Sequence, residues 1–263
     1  MVATPKEIEL RKILVTLMAA AATAATMVAP AAAAAGTAVR FDPSHARIAP
    51  AVAKVGAHKP GFNINGYNWG GYAATGSGFT SVSATWTEPS ATCHSTNDLY
   101  APWVGLDGYG SSSVEQTGVA TDCSSGSPVD EFWYEMYPAN PVYPSPSTYP
   151  VSAGNQIHAS VTYSSSTKKY TLTLQNVTRG WTYTTSKALS TAKRLSAEVI
   201  IESPTGSYPS FGTINFTSAT VNGSSLGSFS PVAMDPSNAN GTYEAHTSAI
   251  SGGTSFSIAY EHE

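Results

Sequence analysis

Apolar and polar positions alternate with a period of two over much of the chain beyond Asn68. In Phe79-Thr80-Ser81-Val82-Ser83-Ala84-Thr85-Trp86, the residues Val82, Ala84 and Trp86 share one side and Ser81, Ser83 and Thr85 the other. Such alternation predicts a strand with one buried face. The signal returns at residues 157–163, 170–174, 213–216 and 255–260, and turn-forming pairs such as Pro89-Ser90, Gly154-Asn155 and Asn222-Gly223 separate the runs. Helical periodicity is nearly missing; residues 187–194 are the one weak candidate. Many short strands at modest spacing predict an all-β sandwich or barrel. No repeat of fixed period interrupts this texture, and roughly 200 residues are enough for one domain with its own core.

The first 62 residues read differently. Arg11 and Lys12 precede Ile13-Leu14-Val15 and an alanine-rich stretch that ends in small residues near Ala33 to Ala35. Residues 1–35 therefore read as a secretory signal peptide. The stretch is too alanine-dominated to match a spanning helix, which wants roughly 20 strongly apolar residues. Residues 36–62 are basic and proline-punctuated, with Arg40, Arg47, Lys54, Lys59, Pro43, Pro50 and Pro60. They read as a leader or propeptide ahead of a β domain at residues 63–263. Taking Lys6, Arg11, Lys12, Glu7 and Glu9 away from 13 basic and 17 acidic side chains leaves ten against fifteen, a formal charge of −5. Nucleic acid is excluded as a partner, since no basic face exists. Cys93 and Cys123 are the two cysteines of an exported chain, so they are expected to form one disulfide rather than a zinc site.

Common catalytic machinery is missing: there is no Gly-x-Ser-x-Gly elbow, no His-Glu-x-x-His and no phosphate-binding glycine loop. His94, His158, His246 and His262 are scattered. What remains is carboxylates and amides inside apolar strands: Asp107 in Pro102-Trp103-Val104-Gly105-Leu106-Asp107-Gly108, Gln116 in Val114-Glu115-Gln116-Thr117-Gly118, Glu135 in Phe132-Trp133-Tyr134-Glu135-Met136-Tyr137-Pro138, and both Glu198 and Glu202 in Ala197-Glu198-Val199-Ile200-Ile201-Glu202. Positions four apart on a strand share a face but lie about 13 Å apart along it. At most one of Glu198 and Glu202 is then the central catalyst. Pattern alone leaves the reaction open.

Five motifs, in order, make the reading specific. Asn68-Trp69-Gly70-Gly71-Tyr72, Trp103-Val104-Gly105-Leu106-Asp107-Gly108, Glu115-Gln116-Thr117-Gly118, Trp133-Tyr134-Glu135-Met136-Tyr137-Pro138 and Ala197-Glu198-Val199-Ile200-Ile201-Glu202 resemble the glutamic peptidases, or eqolisins, over essentially residues 65–260. The resemblance implies a pre-pro precursor of a secreted, monomeric acid endopeptidase acting on polypeptides, with no cofactor, metal or membrane partner. It implies a concanavalin-like sandwich of two antiparallel sheets. It places the catalytic pair on Gln116 and Glu198, with Glu202 in reserve, and it makes Trp69, Trp103, Asp107, Glu135 and Tyr137 residues that line or support the cleft. Met136 and Val199 stand where the family usually has tryptophan. The same residues also fit a carbohydrate-binding sandwich, or a glycosidase using Glu135 and Glu198 as its carboxylate pair. Asn176, Asn215, Asn222 and Asn240 begin glycosylation sequons.

Overall fold

Alternation becomes strand wherever one side can be buried. A computed structural model describes residues 60–238 and 240–262, with strands β1 (Ile64–Asn65), β2 (Trp69–Thr75), β3 (Ser81–Thr87), β4 (Leu99–Asp107), β5 (Val114–Asp122), β6 (Val129–Tyr137), β7 (Gln156–Ser164) and β8 (Lys169–Asn176). The chain continues through β9 (Trp181–Lys187), β10 (Ser196–Glu202), β11 (Thr213–Val221), β12 (Ser224–Ser225), β13 (Val232–Asp235), β14 (Ala245–Thr247) and β15 (Phe256–Tyr260), with one 3₁₀ turn at Leu226–Phe229. All five sequence-predicted runs fall on strands.

The strands form two sheets. One is seven-stranded in the order β1-β13-β2-β10-β4-β5-β6; the other is eight-stranded, β14-β15-β11-β3-β7-β8-β9 with β12 on β11. Every strand pairing is antiparallel except β1 with β13. The result is a sandwich of two largely antiparallel sheets, as expected.

The eight-stranded sheet buries one side only. In β3 the buried residues are Val82, Ala84 and Trp86, as alternation requires. The seven-stranded sheet is buried on both sides: β4, for example, has no exposed residue. Its inner face adds Tyr72, Tyr100, Val104, Leu106, Val119, Phe132, Val199 and Ile201 to the inter-sheet core. Its outer face carries a second apolar cluster containing Trp69, Ala73, Trp103, Val114, Trp133 and Ile200. That second layer explains why β4 and β10 read as nearly unbroken apolar runs. It also puts Gln116, Glu135, Glu198 and Glu202, which share parity with Val114, Trp133 and Ile200, on the outer face.

The disulfide Cys93–Cys123 is formed, with Cα atoms 5.7 Å apart. Residues 187–194 do not form the weakly predicted helix: β9 ends at Lys187 and an irregular loop leads to β10. Residues 1–35 and nearly all of 36–62 lie outside the described residues. No described helix is long and apolar enough to cross a membrane. Asn176 is fully buried, and its Nδ2 donates to Asn155 Oδ1 at 2.8 Å, so it is no sugar acceptor in the folded protein.

Charge is unevenly shared. All nine carboxylates that lie in strands belong to the seven-stranded sheet, and the eight-stranded sheet has none. All six described lysines and arginines fall between Lys168 and Arg194.

Candidate active site

The outer face of the seven-stranded sheet holds the polar residues in rows set by strand register. Gln116 pairs with Gly105 on β4 and with Glu135 on β6, and Gly105 pairs with Glu198 on β10. Two residues along, Ile200, Trp103, Gly118 and Trp133 form the next row. Glu202 sits one row further, opposite Ala101 and Trp69. Gln116, Glu135, Glu198, Glu202, Trp69 and Trp103 are all buried, and Tyr137 is half-buried beside them.

Gln116 is fixed by its cross-strand neighbour. Its Nε2 donates to Glu135 Oε2 at 2.6 Å, while its Oε1 has no partner. Burial pushes Glu135 up to about 7, and the hydrogen bond from Gln116 opposes the rise.

Glu202 is held by donors on both oxygens. Asn68 Nδ2 reaches Oε1 at 2.8 Å and Trp103 Nε1 reaches Oε2 at 3.1 Å. Burial pushes Glu202 up to about 8, Trp69, Trp103 and Asn68 oppose the rise, and the charge of Glu135 adds to it. The Trp69 indole is near enough to matter without closing a bond of good geometry.

Glu198 has other surroundings. Its Oε1 accepts the Tyr109 backbone N–H at 3.3 Å, and Oε2 has no partner. Burial raises it well above the usual carboxylate range, Ser196 and the Tyr109 N–H oppose this, and the charges that add to the rise are Asp107 and Glu115. Ser196 Oγ lies near but likewise closes no bond of good geometry.

Register suggests that Glu198 faces Gln116 across the bare backbone of Gly105. The space above Gly105 is not empty. A Cβ built there would lie 2.9 Å from Trp103 Cζ3 and 3.1 Å from Gln116 Cβ. The Trp103 ring and the Gln116 Cβ therefore share the space above Gly105. The sheet also curls along one diagonal. Trp69 is level with Ala101, yet its Cη2 lies 2.9 Å from where a Cβ of Gly108 would be. Seven residues along a flat strand would separate those levels by about 23 Å. Strong twist, together with the turn that follows Asp107 (φ 64°), brings them together. Gln116 and Glu202 lie along a diagonal of the same sense.

Asp107 is placed at the end of β4 and not over the reacting groups. Its carboxylate accepts three consecutive backbone N–H groups, from Lys193 (2.8 Å), Arg194 (2.7 Å) and Leu195 (2.8 Å). It fastens the β9–β10 loop beside the turn that carries Tyr109. Asn68 and Tyr109 were not picked out as site residues from the sequence; Asn68 stood unremarked at the head of the Asn-Trp-Gly-Gly motif, and a backbone N–H leaves no mark on a sequence.

The arrangement offers an amide with a free carbonyl, a neighbouring carboxyl that orients it, and a carboxyl held by indole and amide donors. The carboxylate pair Glu135 and Glu198 is separated by Gln116 and Gly105 across four strands, and Glu135 is already engaged by Gln116. Among the described residues, no group of three or more His, Cys, Asp or Glu could hold a metal ion.

The profile of the peptidase A4 family matches residues 67–260. Scytalidopepsin B from Scytalidium lignicola is 38% identical over 141 residues, which cover 51% of this chain and 51% of that protein; the match thus spans about half the length of that curated relative. The crystal structure of scytalido-glutamic peptidase with a peptide-based transition-state analog aligns with a TM-score of 0.63 at 29% identity, covering 74% of this chain and 98% of that one. Aspergilloglutamic peptidase from Aspergillus niger aligns with a TM-score of 0.53 at 27% identity, covering 62% of this chain and 99% of that one.

Proposed function

Because the chain belongs to the peptidase A4 family, we propose that it is a secreted endopeptidase acting on polypeptides in acid, in which Gln116 and Glu202 share one activated water. The observation that carries this reading is that Glu135, which holds the Gln116 amide, is also the charge that acts on the Glu202 carboxyl. Sequence resemblance put Glu198 first. What supports Glu202 instead is the Trp103 ring above Gly105 and the identity of the charges that each glutamate senses.

In this mechanism the Gln116 carbonyl and the Glu202 carboxylate hold the water between them. Glu202 takes a proton as the water oxygen bonds to the peptide carbonyl carbon. One N–H of Gln116 stays on Glu135, and the other faces the developing oxyanion. Glu202 then returns the proton to the leaving nitrogen as the C–N bond breaks. No cofactor enters these steps.

Repulsion between Glu135 and Glu202 is mutual, so they titrate as a pair: loss of the first proton leaves the second more tightly held. The singly ionised pair supplies one base and one acid. Burial raises both groups, to about 7 and about 8, so the acid range rests on family membership and not on these two carboxyls. Residues 1–35 would direct export, and residues 36–62 would be removed as a leader; no nucleic acid, membrane or second subunit is required.

The test is casein hydrolysis across about pH 3–8 by three variants. Gln116→Ala and Glu202→Gln should each lose about 10³-fold in kcat/KM, and Glu198→Gln should keep activity within about tenfold. Loss confined to Glu198→Gln would return the role to Glu198. A wild-type maximum at neutral pH would reject the acid mechanism. N-terminal sequencing after acid incubation should find a new terminus near residue 60.

A further inference from the structure

Two glutamates that the reaction does not use lie between the sheets, towards opposite ends of the sandwich. Glu115 starts β5 and, since Val114 and Gln116 face outward, it faces inward beside Leu106 and Met136. It is fully buried, and neither of its carboxyl oxygens has a partner. Ser113 Oγ is close without forming a bond of good geometry. Glu88 follows β3 on the opposing sheet. It is 1% exposed; its Oε2 accepts Trp86 Nε1 at 2.9 Å, and its Oε1 has no partner.

Among the described residues, the groups facing them offer no balancing cation. Glu115 faces Asp107 on β4 and Tyr170 on β8, and Glu198 lies on the other side of the same sheet. Arg194 acts on Tyr170 from that end, but its guanidinium lies 4.3 Å from the centre of the Tyr163 ring and makes no ion pair with Glu115. Glu88 faces a cross-strand row of Tyr100, Thr121 and Asp130. In that row Thr121 Oγ1 donates to Asp130 Oδ1 at 2.8 Å, and the Tyr100 hydroxyl is unpartnered.

We propose that Glu88 and Glu115 are a self-limiting device: carrying protons they let the two sheets close, and losing them in neutral surroundings they force the sandwich open. As acids they are compact, weakly polar groups that the interior tolerates. As carboxylates they are buried charges with too few hydrogen bonds and no counter-ion, which costs folding free energy. Burial pushes Glu115 up to about 9, with Asp107 adding to the rise, and it pushes Glu88 well above its ordinary range, with Asp130 adding. A carboxyl whose folded value is raised binds its proton more tightly in the native state than when unfolded. Stability from that proton is complete below the unfolded value of 4.5 and is lost as pH climbs towards about 9 for Glu115. A peptidase shaped this way is durable in acid and dismantles itself on reaching a neutral medium.

Thermal unfolding from about pH 3 to 9 tests the device, in a Gln116→Ala background so that self-digestion plays no part. The wild-type interior should show Tm falling as pH rises. Glu88→Gln/Glu115→Gln should match it near pH 4 and melt about 5 °C or more higher at pH 8. Glu88→Gln alone, with Gln116 intact, should keep its acid peptidase rate. If the glutamine pair does not fold, Glu88→Met and Glu115→Met replace it with the same expectation. A Tm that does not fall with pH in the wild-type interior, or variants whose curves run parallel to it, overturns the proposal.

Discussion

At Gly105 a single absent methyl group decides how two side chains stand. The Trp103 ring and the Gln116 Cβ both lie close to where a Cβ would project. Gly105→Ala should push one or both aside. We expect the substitution to lower kcat/KM by about tenfold or more, since a 1 Å misplacement can cost about 10²-fold, while Tm drops only modestly; steady-state kinetics beside a melting curve separates the two effects. At this scale the sequence shows which residues bear chemistry but not which ones touch. Gln116 and Glu135 stand out as polar breaks in apolar strands, yet their 2.6 Å bond depends on β5–β6 register. Glu198 and Glu202 have the same parity, so alternation cannot rank them. Their ranking rests on twist, which brings distant levels of the face together.

The loop between β9 and β10 shows how one side chain can overrule local pattern. Residues 187–194 carry a faint helical period, but the N–H groups of Lys193, Arg194 and Leu195 point to Asp107 and not to carbonyls one turn back. Arg194 also has a φ of 56°, outside the helical region. The stronger acceptor wins. Asp107→Ala should therefore cost about 2–4 kcal/mol in denaturant unfolding, as three bonds to a charged acceptor are lost together. It should also open residues 188–195 to added neutral protease before global unfolding. Uniform cleavage elsewhere, with that loop intact, would show that Asp107 does not secure it. Strands were readable because their period survives whatever they pack against; this loop was not, because its shape is dictated by a residue more than eighty positions away.

For the whole molecule, sandwich class follows from turn spacing and alternation, and the runs at residues 157–163 and 213–216 are strands as expected. Strand order is another matter: β10 lies between β2 and β4, and β13 lies between β1 and β2, pairings across long sequence separations that no local pattern encodes. The double burial of the seven-stranded sheet hides the period there, which is why β4 and β10 read as apolar runs with embedded carboxylates. The disulfide ties β5's end to the segment before β4 across 30 residues. Replacing Cys93 and Cys123 together by alanine should lower stability by about 3–4 kcal/mol under the chain-entropy model; equal urea midpoints for the two forms would show that the link is dispensable.

Among the described residues, every basic side chain falls within residues 168–194, while the strand carboxylates all belong to the seven-stranded sheet, so positive charge is gathered in one stretch of the β domain. Near a negatively charged fibre, clay or resin, the chain should turn its 168–194 stretch to the surface, a preferred posture on solids that net charge alone would never suggest.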